Sequence, residues 1–332
     1  MPSYPSGPCL LIRKVGATYI GLIAQAGVKI DEVSATFWTT NTFQGNAAMH
    51  LEKIAHTVSF VPDGRINANQ IAALFEPLSL VPGQALFADS ALTIIDINGN
   101  QWLYGNAAVT KMPDLNLSSK SKGAFGSVTF TCIPASASAP ATANSLMTPS
   151  TGVTFPGWFD TYTAAAGVYT GSAAYDKSQA IAANYNLAWK DATGTAITGF
   201  ASFYGRMGTK VTLGMTTQEI ADDINGIGNM LVTGFGASCT LMPQGPTDAQ
   251  MLANLLHQGT GAVIGGILTR NLYTLVITGP TGALKITLND AGLVKSGLNY
   301  SVGAPRQDEA QWVAAPDLTT GANVNPVVVQ IV

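Results

Sequence analysis

The chain repeats itself. At an offset of 183, residues Leu92, Ile94, Gly99, Asn106, Ala108, Leu115, Asn116 and Ser118 fall on Leu275, Ile277, Gly282, Asn289, Ala291, Leu298, Asn299 and Ser301. Eight identities lie within residues 92–118, where average composition gives roughly two. At an offset of 181, Pro62, Gly64, Ala72 and Leu74 fall on Pro243, Gly245, Ala253 and Leu255. Self-similarity over so long a period leaves few options for 332 residues: two copies of one unit, duplicated in tandem. Residues 1–134 and 153–332 are the expected copies. Between them, 135–152 is small, uncharged and proline-punctuated, and reads as a linker.

Within each unit the signal is β. Cys9 to Arg13, Val33 to Trp38, Thr57 to Val61, Ala91 to Ile97, Gln101 to Val109 and Ser127 to Cys132 are short runs rich in β-branched and aromatic residues, bounded by turn formers. Asn98-Gly99 lies between two of them and suggests a type I′ hairpin turn. Two short helices interrupt the strands. Asn67 with Gln70, and Thr247 with Gln250, have the three-residue spacing of a capping box ahead of apolar residues at helical period. Leu74 and Leu255 are expected to be buried where each helix meets its sheet. The fold class is mostly β: two sandwich-like or barrel-like domains, each with one flanking helix.

Charge excludes several functions. Only 11% of residues are charged while 47% are apolar, so few side chains exist to solvate a free surface. Sixteen Lys and Arg against nineteen Asp and Glu leave a net charge of −3, without the basic footprint of a nucleic-acid binder. No run of 18 apolar residues occurs, and the start lacks the basic and apolar regions of a signal peptide. Cys9, Cys132 and Cys239 are odd in number and far apart, which fits reduced packing residues rather than disulfides or a metal site.

No catalytic, cofactor-binding or metal-binding residues are identified. There is no H-E-x-x-H, C-x-x-C, G-x-x-x-x-G-K-[ST] or G-x-S-x-G, and His50, His56 and His257 lack ligand spacing. Asp96 to Asn100 loosely suggests a calcium loop, but Gly99 stands at the fourth position and Ala107 at the twelfth, so the hairpin reading is preferred. The glycine-rich run Gly259 to Gly266 follows a helix instead of opening one, and so lacks an anion-cradling terminus. Lys111, Lys120 and Lys122 form the densest basic cluster and read as a protected strand edge, with Val294 and Gly303 at the matching places of the second copy. The acidic run Gln218 to Gly226 reads as a loop or short helix.

His56-Thr-Val-Ser-Phe-Val-Pro-Asp-Gly64, then Asn106 to Ser118 and Gly126 to Cys132, resemble the tail tube proteins of long-tailed bacterial viruses. Cys239 to Gly245 through Glu309 to Ala314 is similar but more diverged. The resemblance implies sandwich domains assembled in stacked rings around a DNA conduit. With a duplicated domain it implies trimeric rings of pseudo-sixfold symmetry. The implied partners are further copies of the chain, the tape measure, tail terminator and distal tail proteins, and DNA in transit without specific binding; no membrane insertion and no cofactor is implied. The implied location is the virion, with synthesis in the bacterial cytoplasm. A distal tail or decoration protein, or a tandem surface-binding module, is the alternative, and an enzyme the least favoured. The Val-rich end, Pro326 to Val332, is expected to be an arm that adds a strand to a neighbouring subunit.

Overall fold

The computed structural model describes residues 7–15, 18–24, 26–32, 36–42, 45–63, 68–88, 90–118, 124–134, 146–150, 161–163, 172–174, 184–222, 226–254, 273–298, 301–303, 309–314 and 325–332. The first half carries β1 (Cys9–Val15), β2 (Thr18–Ala24), β3 (Lys29–Glu32), β4 (Thr36–Thr42), β5 (Gly45–Lys53) and β6 (His56–Phe60). Helix α1 (Ala68–Leu74) follows, then β7 (Ser90–Asp96), β8 (Gln101–Tyr104), β9 (Ala107–Lys111), β10 (Leu115–Leu117), β11 (Val128–Cys132) and β12 (Thr148–Ser150). Two short strands, β13 (Thr161–Thr163) and β14 (Ser172–Ala174), lead to the second half. That half has β15 (Asn186–Lys190), β16 (Tyr204–Asp222), β17 (Gly226–Gln244), α2 (Asp248–Asn254), β18 (Thr274–Thr278), β19 (Leu284–Leu288), β20 (Gly292–Lys295), β21 (Ala310–Ala314) and β22 (Val327–Ile331). The protein is mostly β.

The first half builds two principal sheets, β12-β8-β7-β1-β2-β14-β13 and β3-β6-β11-β9, and the hairpin β4-β5. The second builds β15-β18-β19-β22 and β10-β16-β17-β21-β20, the latter with a first-half strand on its edge. Strand faces follow period-two patterning. In β17, Phe235, Ala237, Cys239, Leu241 and Pro243 are buried, and the residues between them are more exposed. Buried apolar side chains of both halves form one contiguous cluster.

Several pairing registers run alike in the two halves, although β2, β13 and β14 have no counterpart strands in the sheets of the second half among the described residues. His56↔Cys132 and Phe60↔Val128 answer to Ala237↔Ala314 and Leu241↔Ala310. Ala108↔Thr131 answers to Gly292↔Val313, and both ladders carry a bulge after the following pair, Val109↔Phe130 and Leu293↔Trp312. Lys29↔Ser59 answers to Lys210↔Thr240. Hairpin β4-β5 has irregularities after Thr36 and Thr40, and β16-β17 has them after Thr216 and Ile220. The sequence offset of 183 holds through β7 and slips to 184 in β8 and β9, because the turn before β19 is one residue longer. The counterpart of Lys111 is therefore Lys295 rather than Val294, and Ala107 answers to Ala291.

Several local expectations are corrected. Gln101 to Val109 is two strands in different sheets, not one. Among the described residues of the Asn98-Gly99 turn only Gly99 has positive φ, at 76°, so the turn is not type I′. Asp96 N–H donates to Asn100 O at 2.9 Å, and the Asp96 carboxylate accepts from the amides of Asn98 and Asn100 at 2.9 and 2.8 Å. This is a three-residue loop closed by a left-handed glycine. Of the acidic run, Gln218 to Asp222 lie on the distal end of β16 and not on a loop or helix, while residues 223–225 lie outside the described residues. Within the expected linker 135–152, residues Thr148 to Ser150 form β12 on the edge of β8, with Thr148↔Leu103 and Ser150↔Gln101.

That edge explains the C-terminus. Strand β22 pairs with β19 of its own chain, Val327↔Leu288 through Ile331↔Leu284. Since β8 and β19 correspond, β12 and β22 close the same edge in their respective halves. The apolar tail is thus paired within its own domain, and the expected intersubunit arm is replaced by a last internal strand.

The two helices are held differently. Leu74 is fully buried, as expected, while Leu255 lies outside the described residues. Thr247 and Gln250 form the capping box: Thr247 N–H donates to Gln250 Oε1 at 2.8 Å, and Gln250 N–H donates to Thr247 Oγ1 at 3.3 Å. Gln70 instead points inward and donates from Nε2 to Gly21 O at 2.8 Å; Asn67 lies outside the described residues.

One buried position differs in chemistry between the halves. Arg13↔Leu92 in β1-β7 corresponds to Trp189↔Leu275 in β15-β18. Both residues are fully buried. Arg13 Nη1 donates to Ala107 O at 2.6 Å, and Trp189 Nε1 donates to the corresponding Ala291 O at 2.9 Å. The Arg13 charge is met by Glu76 at 2.7 Å and lies 5.5 Å over the Phe130 ring. Removing one partner of a buried ion pair strands the other's charge. Glu76→Ala is expected to lower unfolding free energy by about 3–5 kcal/mol in denaturant titrations, and Glu76→Gln by less, because it keeps an acceptor for the guanidinium. Equal losses in both variants would show that acceptance at this place is immaterial.

Candidate assembly interface

The groups that sequence reading examined for chemistry are occupied structurally. Burial pushes the Cys9 thiol from its ordinary 9.0 to about 12, with the Asp96 charge adding to the rise. Burial also raises Cys132 and Cys239. His56 Nδ1 lies 3.3 Å from Tyr104 Oη, with the rings edge to face. His257, Lys120, Lys122 and the run Gly259 to Gly266 lie outside the described residues. Among the described residues, no three His, Cys, Asp or Glu side chains come together as a metal site. Among them too, no helix is long and apolar enough to cross a membrane.

What the fold does present is a set of contacts running from the first half to the second. In the first, β10 extends the edge of β16, with Leu115↔Val211, Asn116↔Lys210 and Leu117↔Thr209. Asn116 N–H turns away to Ala124 O, so Asn116 and Lys210 form a non-hydrogen-bonded cross-strand pair. Leu115 and Val211 are fully buried by this union. Lys210 also reaches Asp114 at 3.6 Å.

A glycine permits the approach. Gly208, with φ +99°, sits where β16 breaks register, and an added Cβ would lie 2.5 Å from Ser118 Cβ. A shallow groove of about 350 Å³ opens beside it, lined by Leu117, Ser118, Tyr185, Tyr204 and Met207 among others. Met207 is 64% exposed, a large apolar side chain at the rim.

The second contact is backbone to backbone. Gly83 N–H donates to Val232 O at 2.7 Å, Val232 N–H to Gln84 O at 3.0 Å, and Leu86 N–H to Met230 O at 2.7 Å. The Asn229 amide brackets Phe87, accepting from its N–H and donating to its carbonyl, each at 3.1 Å. Lys53 and Glu219 pair across the two hairpins at 2.9 Å. In the third contact, α1 packs on β22, and Asn325 Nδ2 donates to the carbonyls of Leu78 and Leu80.

Comparison with family models and with curated proteins finds no match. Among solved structures, an inhibitor of motility from Bacillus subtilis aligns over 97% of this chain and 92% of its own, at 8% identity and a TM-score of 0.16. At that score the likeness carries no argument about fold or function.

None of these contacts was legible beforehand. The signal available was the paired Leu-Asn-x-Ser at 115–118 and 298–301, which marks β10 as part of the repeat but not as a strand donated to the other half. Two outcomes test the geometry. Gly208→Ala is expected to destabilise the fold by about 1–3 kcal/mol, part of it from φ and part from Ser118. Ser118→Gly in the same chain should restore the steric part alone, and purely additive losses would show that the two residues do not meet. The thiols should resist alkylation in native protein at pH 8. Because folding raises their pKa values, they contribute stability that is complete below about pH 9 and lost as pH rises toward the folded value. A stability optimum above pH 10 would contradict that sign.

Proposed function

We propose that the chain is a structural subunit of a phage tail tube, polymerising head to tail into rings that stack around a DNA conduit. The observation that carries the reading is the one-way docking of the first half onto the second. If the halves are a tandem duplication, as the shared registers support, the second half carries the same donor elements and the first half the same acceptor edges. A contact whose donor and acceptor lie on different surfaces is heterologous and closes into a ring or runs on as a filament. Three chains of two equivalent halves give six positions around such a ring.

Charge supports a conduit. In the long hairpin β16-β17 the cations are Arg206 and Lys210, both at its base, with no Lys or Arg on the part distal to Lys210, and β4-β5 contains only Lys53 at its end. A hairpin surface without cations cannot hold passing phosphates by ion pairing. The exposed residues of distal β16 are mainly Thr216, Thr217, Gln218, Glu219 and Ile220, polar or acidic for the most part. The sequence resemblance to tail tube proteins adds the virion as location and the tape measure, terminator and distal tail proteins as partners. The low overall charge fits surfaces covered by neighbouring subunits.

Negative-stain electron microscopy of the concentrated full chain tests this. Hollow filaments or stacked rings are the expected result. Closed rings that never stack would favour a distal tail or decoration role, and a strictly monomeric protein would overturn assembly altogether.

A further inference from the structure

We propose that Thr39 on the first hairpin of one copy meets Gly234 on the long hairpin of the next, so that the joint between copies repeats the joint between halves with its two polar locks left out. The proposal rests on the self-assembly reading above and deepens it. The joint it names is where the assembly comes apart, and the unit that leaves is a whole chain.

The two hairpins share one register. Seven pairs of β4-β5, from Thr36↔Lys53 to Thr42↔Gly45, match seven of β16-β17, from Thr216↔Gly234 to Asp222↔Gly226, and the irregularities fall at the same two steps. Each place on one hairpin therefore has a counterpart on the other. Thr39↔Met49 answers to Glu219↔Met230, Thr40↔Ala48 answers to Ile220↔Asn229, and Lys53 answers to Gly234.

Within the chain, two side-chain contacts fasten the long hairpin to the first half. Lys53 Nζ reaches the two Glu219 carboxylate oxygens at 2.9 and 3.2 Å. The Asn229 amide brackets the Phe87 backbone, and its Oδ1 also accepts from Met230 N–H at 2.8 Å. Neither contact has the side chains to form again between copies. Gly234 holds the place of Lys53 and Thr39 that of Glu219, so the ion pair has lost both its charges. Ala48 holds the place of Asn229 and has no amide. Of two joints alike in backbone register, the one between copies is therefore the weaker. Its occupant is another copy, because within one chain the first half already leads the second, and a second half leading a first half requires a new chain.

Zero-length coupling reads the contact directly. A water-soluble carbodiimide condenses a touching carboxylate and amine into an amide, and at Lys53 and Glu219 that amide stays within one chain. The full-length double variant Thr39→Glu, Gly234→Lys is built on Thr216→Ala, because an added Cβ at Gly234 would lie 3.1 Å from Thr216 Oγ1. A charge-exchanged form carries Thr39→Lys and Gly234→Glu on the same background. After assembly and coupling, both forms are expected to give a ladder of covalent oligomers that exceeds any in wild type or the single variants. Their filaments should persist to about two- to fivefold lower protein concentration than wild type at low salt, the effect of one exposed ion pair, and lose that gain at high salt. Filaments without a ladder in either form overturn the contact and leave the tube reading standing, as does loss of filaments in both forms where wild type assembles. A ladder with no gain in persistence keeps the contact and overturns the weaker joint. A wild type that stays monomeric at every concentration overturns the tube reading, and the contact falls with it.

Discussion

A strand at the end of a sheet carries a row of amides and carbonyls that must find partners, and this chain has few charged side chains with which to shield them. Its architecture follows from how those edges are used. β12 covers β8 and β22 covers β19, each half closing one edge with its own last strand. A third edge, that of β16, is covered by β10 from the other half. Edge pairing thus joins the halves as well as completing them, and the apolar surface beneath each junction is sealed in the same step.

The two halves show how far side chains may diverge on a similar register. At the position of Arg13 and Trp189 a cation and an indole send an N–H to corresponding carbonyls, those of Ala107 and Ala291. The cation requires Glu76 and lies over Phe130; the indole packs edge to face with Trp312, which occupies the place of Phe130. The conserved element is the demand of a buried carbonyl for a donor. Charge and aromaticity are alternative ways of meeting it while filling the space.

The β class, the capped second helix and the burial of Leu74 were legible because each rests on local pattern: period-two apolar runs, apolar residues at helical spacing, Thr247 three residues before Gln250. Features set by tertiary context were not. Gln70 has cap spacing, yet its amide is drawn inward by Gly21 O. Gln218 to Asp222 is acidic and looked like loop, yet it is held in strand by its pairing with β17. The Val-rich tail looked unpartnered because its partner, β19, lies some forty residues away and no local signal marks the edge it fills. The candidate interface was the least legible of all, since a donated strand has the same sequence signature as one kept at home.

The joint between β10 and β16 also fixes an order of events during synthesis. Leu115 and Leu117 leave the ribosome before the strand that buries them exists, and chains grow at about 5–20 residues per second. For several seconds the first half is a nascent domain with an uncapped apolar strand, dependent on chaperones or on its own solubility. Completion of the second half then removes that strand from circulation, and the finished chain carries β10 covered along the edge of β16.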